Sequence, residues 1–110
     1  MFTLMTVIRK KPEISTEDFR RFMKYEYGPT YKALPQTRAY SQYHLTDLAT
    51  DGAEDAIAAI VQISFDSPES MAEALSTDAY NRAHEMREKY MRETSVGIHS
   101  ARVDDIVTFV

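Results

Sequence analysis

YEYGPTYKALPQTRAYSQYH, residues 25–44, holds five of the seven tyrosines in the chain, two of its four prolines and one of its three histidines. The period of the side chains changes inside it. Upstream, Phe19, Phe22, Met23 and Tyr27 recur at helical spacing, so Tyr27 falls on the apolar stripe of an amphipathic helix and not on its charged face. From Arg38 onward the pattern alternates: Arg38, Tyr40, Gln42 and His44 share one face of a strand, and Ala39, Ser41, Tyr43 and Leu45 the other. Between the two, Gly28-Pro29 predicts the end or a kink of the helix, because Gly accepts a left-handed cap and Pro disfavours helical geometry in the residue before it. A short irregular or helical segment then reaches Leu34-Pro35.

Outward from that junction the remaining elements follow. FTLMTVIR (2–9) reads as a buried strand closed by the polar turn KKPEI, and Ser15 with Asp18 reads as the start of the helix. TDLATDGAED (46–55) reads as an exposed acidic loop and AIAAIVQISF (56–65) as a third strand. Ser67-Pro68 is an N-cap and first-turn pair; Met71, Ala72 and Leu75 mark the apolar side of the helix that it opens. A further helical piece spans about 79–91, and VDDIVTFV (103–110) reads as a last strand. The order β, α, β, β, α, β predicts one α+β domain over residues 1–110: a ferredoxin-like, four-stranded antiparallel sheet with helices on one face. The other face of such a sheet carries apolar side chains, which predicts a homodimer with two sheets facing each other.

Composition limits the function classes. The net charge is −4 at pH 7, and basic and acidic residues interleave, as in EDFRRFMKYE and HEMREKYMRE, which argues against a nucleic-acid partner. No apolar run is long enough to span a bilayer and no signal-peptide order is present, so no membrane association and a cytoplasmic location are expected. With no cysteine there is no thiolate nucleophile or Cys metal site. No His and carboxylate spacing suits a metal, and no Gly-rich phosphate loop occurs, so no cofactor is expected.

Three phrases carry a family likeness. VIRKKPEISTEDFRRF, YGPTYKALPQTRAYSQYH and ISFDSPESMAEAL resemble, in one collinear register, the opening, the central Ala-Pro and Tyr-x-(Asn/Gln)-x-His segment, and the third-strand Phe-Asp-Ser of EthD-domain proteins, which belong to the dimeric α/β-barrel superfamily. The resemblance implies a pocket between sheet and helices. It also exposes departures: Tyr27 stands where many relatives have a histidine, and Gln62 where some have an acidic residue. A tyrosine with a pKa of about 10 mainly exchanges hydrogen bonds at neutral pH, so a mechanism that needs that imidazole must run differently here.

The resemblance makes His44 a candidate general acid or base, with Tyr27 and Tyr40 as donors to a developing enolate or phenolate oxygen. Tyr31, Gln42, Gln62 and Phe22 are candidate substrate contacts. The implied function is a cofactor-free isomerase, cyclase or dehydratase acting by proton transfer on a lactone, polyketide-like or aromatic carbonyl compound. Two other readings stay open: a ligand-binding accessory protein of a catabolic pathway, and a cofactor-independent oxygenase of phenols. Tyr27 and Tyr40 could equally be core aromatics, Tyr25, Tyr31 and Tyr43 packing or dimer-surface residues, and Gln42 a cross-strand partner. His84 and His99 read as solvated.

Overall fold

In the computed structural model, which describes residues 1–48, 56–92 and 97–110, β1 (Phe2–Ile8) lies between β3 (Ala59–Phe65) and β4 (Ile98–Arg102). The fourth strand, β2 (Ala39–His44), pairs with the outer side of β3, giving the order β2-β3-β1-β4 with every pairing antiparallel. This is the ferredoxin-like α+β arrangement. Register decides which side chains meet the helices. Tyr40 opposes Ile63, which opposes Leu4; Gln42, Val61, Thr6 and Ser100 form the next row; His44, Ala59, Ile8 and Ile98 the third. The alternating residues Met5, Val7, Tyr43, Ile60 and Gln62 occupy the open face.

The first helix, α1 (Thr16–Phe22), begins where the sequence marks it: the Ser15 side chain accepts from the Asp18 N–H at 3.0 Å. Asp18 does not complete a reciprocal cap; its carboxylate takes a bond from Arg21. Buried Phe19 and Phe22 join Met23, Leu34, Ile8, Ala59, Val61, Ile63 and Phe65 in one core. After α1 the helix does not stop at Gly28-Pro29. A π-helical turn (Met23–Tyr27) leads directly into α2 (Gly28–Ala33), and Gly28 is right-handed helical at φ −58° and ψ −46°. The reason lies in Pro29, which has no N–H and whose ring would strike the carbonyl four residues back in a regular α-helix. Lengthening the preceding turn, so that the Gly28 N–H reaches Met23 O, moves that carbonyl out of register. Gly28 serves a close approach instead of a left-handed cap, since a Cβ there would come within 2.7 Å of the Gln42 amide nitrogen.

Ser67 caps α3 (Pro68–Leu75) through the Ser70 N–H, and Thr77 caps α4 (Asp78–Tyr90) through the Tyr80 N–H. The strands are bounded differently from the sequence reading: β1 ends at Ile8 and β2 at His44, each one residue early, and the starts of β2 and β3 and the place of the last strand differ as well. β2 begins at Ala39, leaving Arg38 to grip Asp66 with a bidentate pair at 2.9–3.1 Å. β3 begins at Ala59 instead of residue 56. The last strand is 98–102, and residues 103–110 lie outside any strand. With Arg102 opposite Leu4, one further backbone bond, Val103 N–H to Thr3 O, follows the strand, and only Thr3 and Phe2 of β1 lie beyond Leu4, so β1 cannot pair with most of 103–110. His99, expected in a linker, therefore sits in β4 opposite Val7 on the open face. Of the expected 46–55 loop, 46–48 form neither helix nor strand and 49–55 lie outside the described residues.

Candidate functional site

A cavity of about 250 Å³ lies between the helices and the sheet, and crosses all four strands: Tyr40 of β2, Ile63 of β3, Leu4 and Thr6 of β1 and Ser100 of β4 line it. Tyr27, Tyr31, Tyr80 and Arg87 close it on the helical side. Its volume is just below the usual range for ligand pockets, which begins at about 300 Å³, so it suits a small molecule.

The helical wall is built around one cation. Arg87 donates from Nε to the Tyr27 hydroxyl at 2.9 Å and from Nη2 to the Tyr31 hydroxyl at 3.0 Å, and the two hydroxyls are 2.9 Å apart. Tyr27 and Tyr31 meet because they stand four residues apart across the junction between the π turn and α2, with ring centroids at 4.9 Å. Both oxygens accept from Arg87, and only one of them can also donate to the other. One hydroxyl proton of the pair is left to donate elsewhere.

Tyr40 supplies a second free proton. Its ring stacks on Tyr31 at 5.4 Å and 5°, and its hydroxyl accepts from Gln42 Nε2 at 3.1 Å. The same amide nitrogen donates to Met23 O at 2.8 Å, which fixes the orientation of the Gln42 amide because a carbonyl can only accept. Gln42 Oε1 then faces His44 Nε2 at 3.0 Å, so His44 carries its proton on Nε2. Burial, with help from Lys24 and Arg20, lowers the His44 pKa from its ordinary value, which keeps the ring neutral at pH 7. Its Nδ1 is buried without a partner.

Burial raises the Tyr27 pKa well above 10 and raises that of Tyr31, against the opposing pull of Arg87; Tyr40 is pushed up to about 12, again by burial. All three stay protonated and act as hydrogen-bond donors. For Arg87, burial pulls the pKa down, but the Tyr27 and Tyr31 oxygens outweigh it and the net direction is up. The guanidinium is charged. Among the described residues no carboxylate pairs with it: the ion pairs join Arg21 to Glu17 and Asp18, Arg38 to Asp66, and Arg102 to Asp104. On the sheet wall, the Thr6 and Ser100 hydroxyls bond each other at 2.8 Å.

Of the candidates read from the sequence, Tyr27, Tyr31 and Tyr40 line the cavity. Gln42 stands behind Tyr40. His44 does not line it: sharing a strand face with Tyr40 is not sharing its depth, and four residues along β2 separate the two by about 13 Å. Phe22 is a core residue, 1% exposed and stacked on Tyr90 at 3.9 Å. Gln62 lies on the open face beside the Tyr43 hydroxyl. The reading missed Arg87, Tyr80, Thr6 and Ser100. For Arg87 a signal existed, because Tyr80, Ala83, Arg87 and Tyr90 recur at helical spacing and place it on the inner stripe of α4. A larger groove of about 640 Å³ runs along the surface beside β2 past Lys24, Lys32 and Arg38, but it lacks the enclosed hydroxyl and cation cluster.

The EthD domain model matches residues 11–93. The chain belongs to the EthD family. This EthD domain is similar in structure to an EthD family protein from Bacillus halodurans (TM-score 0.71, 14% identity, covering 96% of this chain and 100% of that one). It is also similar to a dimeric ferredoxin-like protein from Thermobifida fusca (TM-score 0.71, 9% identity, 93% and 88%). A third is an antibiotic biosynthesis monooxygenase (TM-score 0.67, 13% identity, 97% and 100%). At these identities the likeness speaks for the ferredoxin-like fold alone. No curated protein matches the chain. Among the described residues, no helix is long and apolar enough to cross a membrane and no group of His, Asp and Glu could hold a metal ion.

Proposed function

We propose that this EthD domain is a cofactor-free enzyme of the isomerase, cyclase or dehydratase type, acting on a small, readily enolised carbonyl compound. The observation that carries this is the pair of hydrogen bonds that Arg87 donates to the Tyr27 and Tyr31 hydroxyls inside the cavity. When a proton leaves the carbon beside a carbonyl, the electron pair moves onto the carbonyl oxygen. A hydroxyl of the Arg87-backed pair, together with the Tyr40 hydroxyl, supplies O–H donors for that charge, in a setting where such donors are worth far more than in water. Among the described residues that line the cavity there is no carboxylate or histidine, so in this reading the carbon proton goes to water, which suits a carbonyl compound acidic enough to enolise with electrophilic help alone. His44 acts as a positioning residue: it holds Gln42, and Gln42 holds Tyr40.

The test is solvent deuterium exchange into 2-tetralone, followed by NMR. The wild type is expected to accelerate exchange, and Tyr27→Phe together with Tyr31→Phe to remove most of that acceleration. Exchange no faster than in buffer, for 2-tetralone and for a panel of lactones and 1,3-dicarbonyls, would rule the reading out. The likeness to an antibiotic biosynthesis monooxygenase supports a second reading, oxygenation of a phenolate in the same pocket, which oxygen uptake would reveal.

The enzyme is proposed to work as a homodimer. Met5 and Tyr43 are exposed on the open sheet face, beside Val7 and Ile60, and the tail adds exposed Ile106, Val107 and Phe109. A second copy would cover this surface, as the dimeric state of the Thermobifida fusca protein suggests. Sedimentation equilibrium should give twice 12.6 kDa; a single-chain mass at micromolar concentration would refute it.

A further inference from the structure

Arg87 has more donors than the protein uses. A guanidinium offers five N–H groups; one from Nε and one from Nη2 go to the tyrosine hydroxyls, and one from Nη1 meets His84 Nδ1 at a long 3.4 Å. That leaves one N–H on Nη1 and one on Nη2 with no protein acceptor among the described residues. The charge is equally unmatched. No acidic residue stands three or four positions from Arg87 in the sequence, where Ala83, His84, Tyr90 and Met91 are found, and the groups facing it from α2, the π turn and α4 are Tyr31, Tyr27, Tyr80 and the His84 ring, none of them a carboxylate. A partly buried cation without a counter-ion is costly, and a cavity beside it gives an anion somewhere to sit.

We propose that the cavity binds its ligand as an organic monoanion, a carboxylate or a phenolate, with the charged oxygen at the unused N–H groups of Arg87. The inference rests on the cavity being the functional site, and it narrows the substrate class: the compound carries a carboxylate or a phenolate in addition to the carbonyl that enolises. The apolar wall of Leu4, Val61 and Ile63 receives the body of the ligand, and the Thr6 and Ser100 hydroxyls offer it neutral hydrogen bonds. A neutral isostere makes the same apolar contacts and loses the charge-assisted bonds, which are about twice as strong as neutral ones.

The experiment titrates the full chain with benzoate and, separately, with its neutral isostere benzamide, following backbone amides and the Arg87 Nε resonance by NMR. Benzoate is expected to shift Arg87 Nε and the amides of Thr6, Ile63 and Ser100, and to bind at least about tenfold more tightly than benzamide. In Arg87→Met the preference should vanish while the fold, read from the rest of the spectrum, persists. Equal binding of the two compounds in the cavity of the wild type would overturn the anion assignment and leave the cavity reading standing. If neither compound shifts cavity residues, both fall.

Discussion

Replacing Arg87 with methionine is expected to lower turnover of an enolisable ketone by about 10²–10³-fold, the loss typical of removing a preorganised donor from an oxyanion site, while leaving the unfolding free energy within about 1 kcal/mol of wild type. The two effects separate because Arg87 has different value in the two states that matter. For folding, the guanidinium gives up water and gains two hydroxyl contacts and a position 5.7 Å from the Tyr27 ring centroid, with no carboxylate to offset the desolvation. Methionine fills similar space without a charge to bury. Tyr27 and Tyr31 also keep their bond to each other. For chemistry, the loss is larger: without the cation the shared hydroxyl is a weaker donor just as charge builds on the substrate oxygen. Parallel urea melts and exchange rates check both halves. A variant that loses stability and activity together would make Arg87 a structural residue.

Phe22→Ala should do the opposite and cost about 3–5 kcal/mol of stability, the usual range for truncating a buried phenylalanine. A domain of this size has only about 5–15 kcal/mol in total, so the denaturation midpoint should fall steeply. The ring is 1% exposed, lies flat on Tyr90 at 3.9 Å and 8°, and is 5.6 Å from the Tyr27 ring. It joins α1 to α4. Phe22→Leu, which keeps most of the volume, should cost much less. A stable Phe22→Ala protein with impaired ligand binding alone would return Phe22 to the substrate wall, where its sequence position first suggested it.

Phe22 illustrates how far the sequence carries. The helical stripe of Phe19, Phe22, Met23 and Tyr27 was legible because burial follows a 3.6-residue period, and the alternation at 38–45 correctly put Tyr40, Gln42 and His44 on one face of β2. Periodicity gives a face but not a depth along it. Whether a residue on the buried face reaches the cavity, as Tyr40 does, or stops in the core, as Phe22 does, depends on which row of the sheet or turn of the helix the cavity crosses. Arg87 was missed for a related reason: on a helix with charges at 82, 85, 87, 88 and 89, the stripe of Tyr80, Ala83 and Tyr90 puts it on the inner face, but its partners Tyr27 and Tyr31 are visible only once α4 packs against them. The last strand was misplaced because VDDIVTFV has the stronger β character, whereas the register puts 98–102 beside β1 and leaves only Thr3 and Phe2 of β1 beyond it. Gly28-Pro29 read as the end or a kink of the helix; a lengthened π turn upstream lets the chain continue helical through it.

The central claim is that a small carbonyl compound sits between the helices and the sheet with its oxygen at the Arg87 and tyrosine cluster. Intermolecular NOEs from bound 4-hydroxyacetophenone, which carries both a phenol and a carbonyl, test it most directly. The account predicts contacts to the methyl groups of Leu4, Val61 and Ile63 together with a shift of Arg87 Nε. Contacts confined to Met5, Val7 and Ile60 would put the ligand on the open face of the sheet and contradict it.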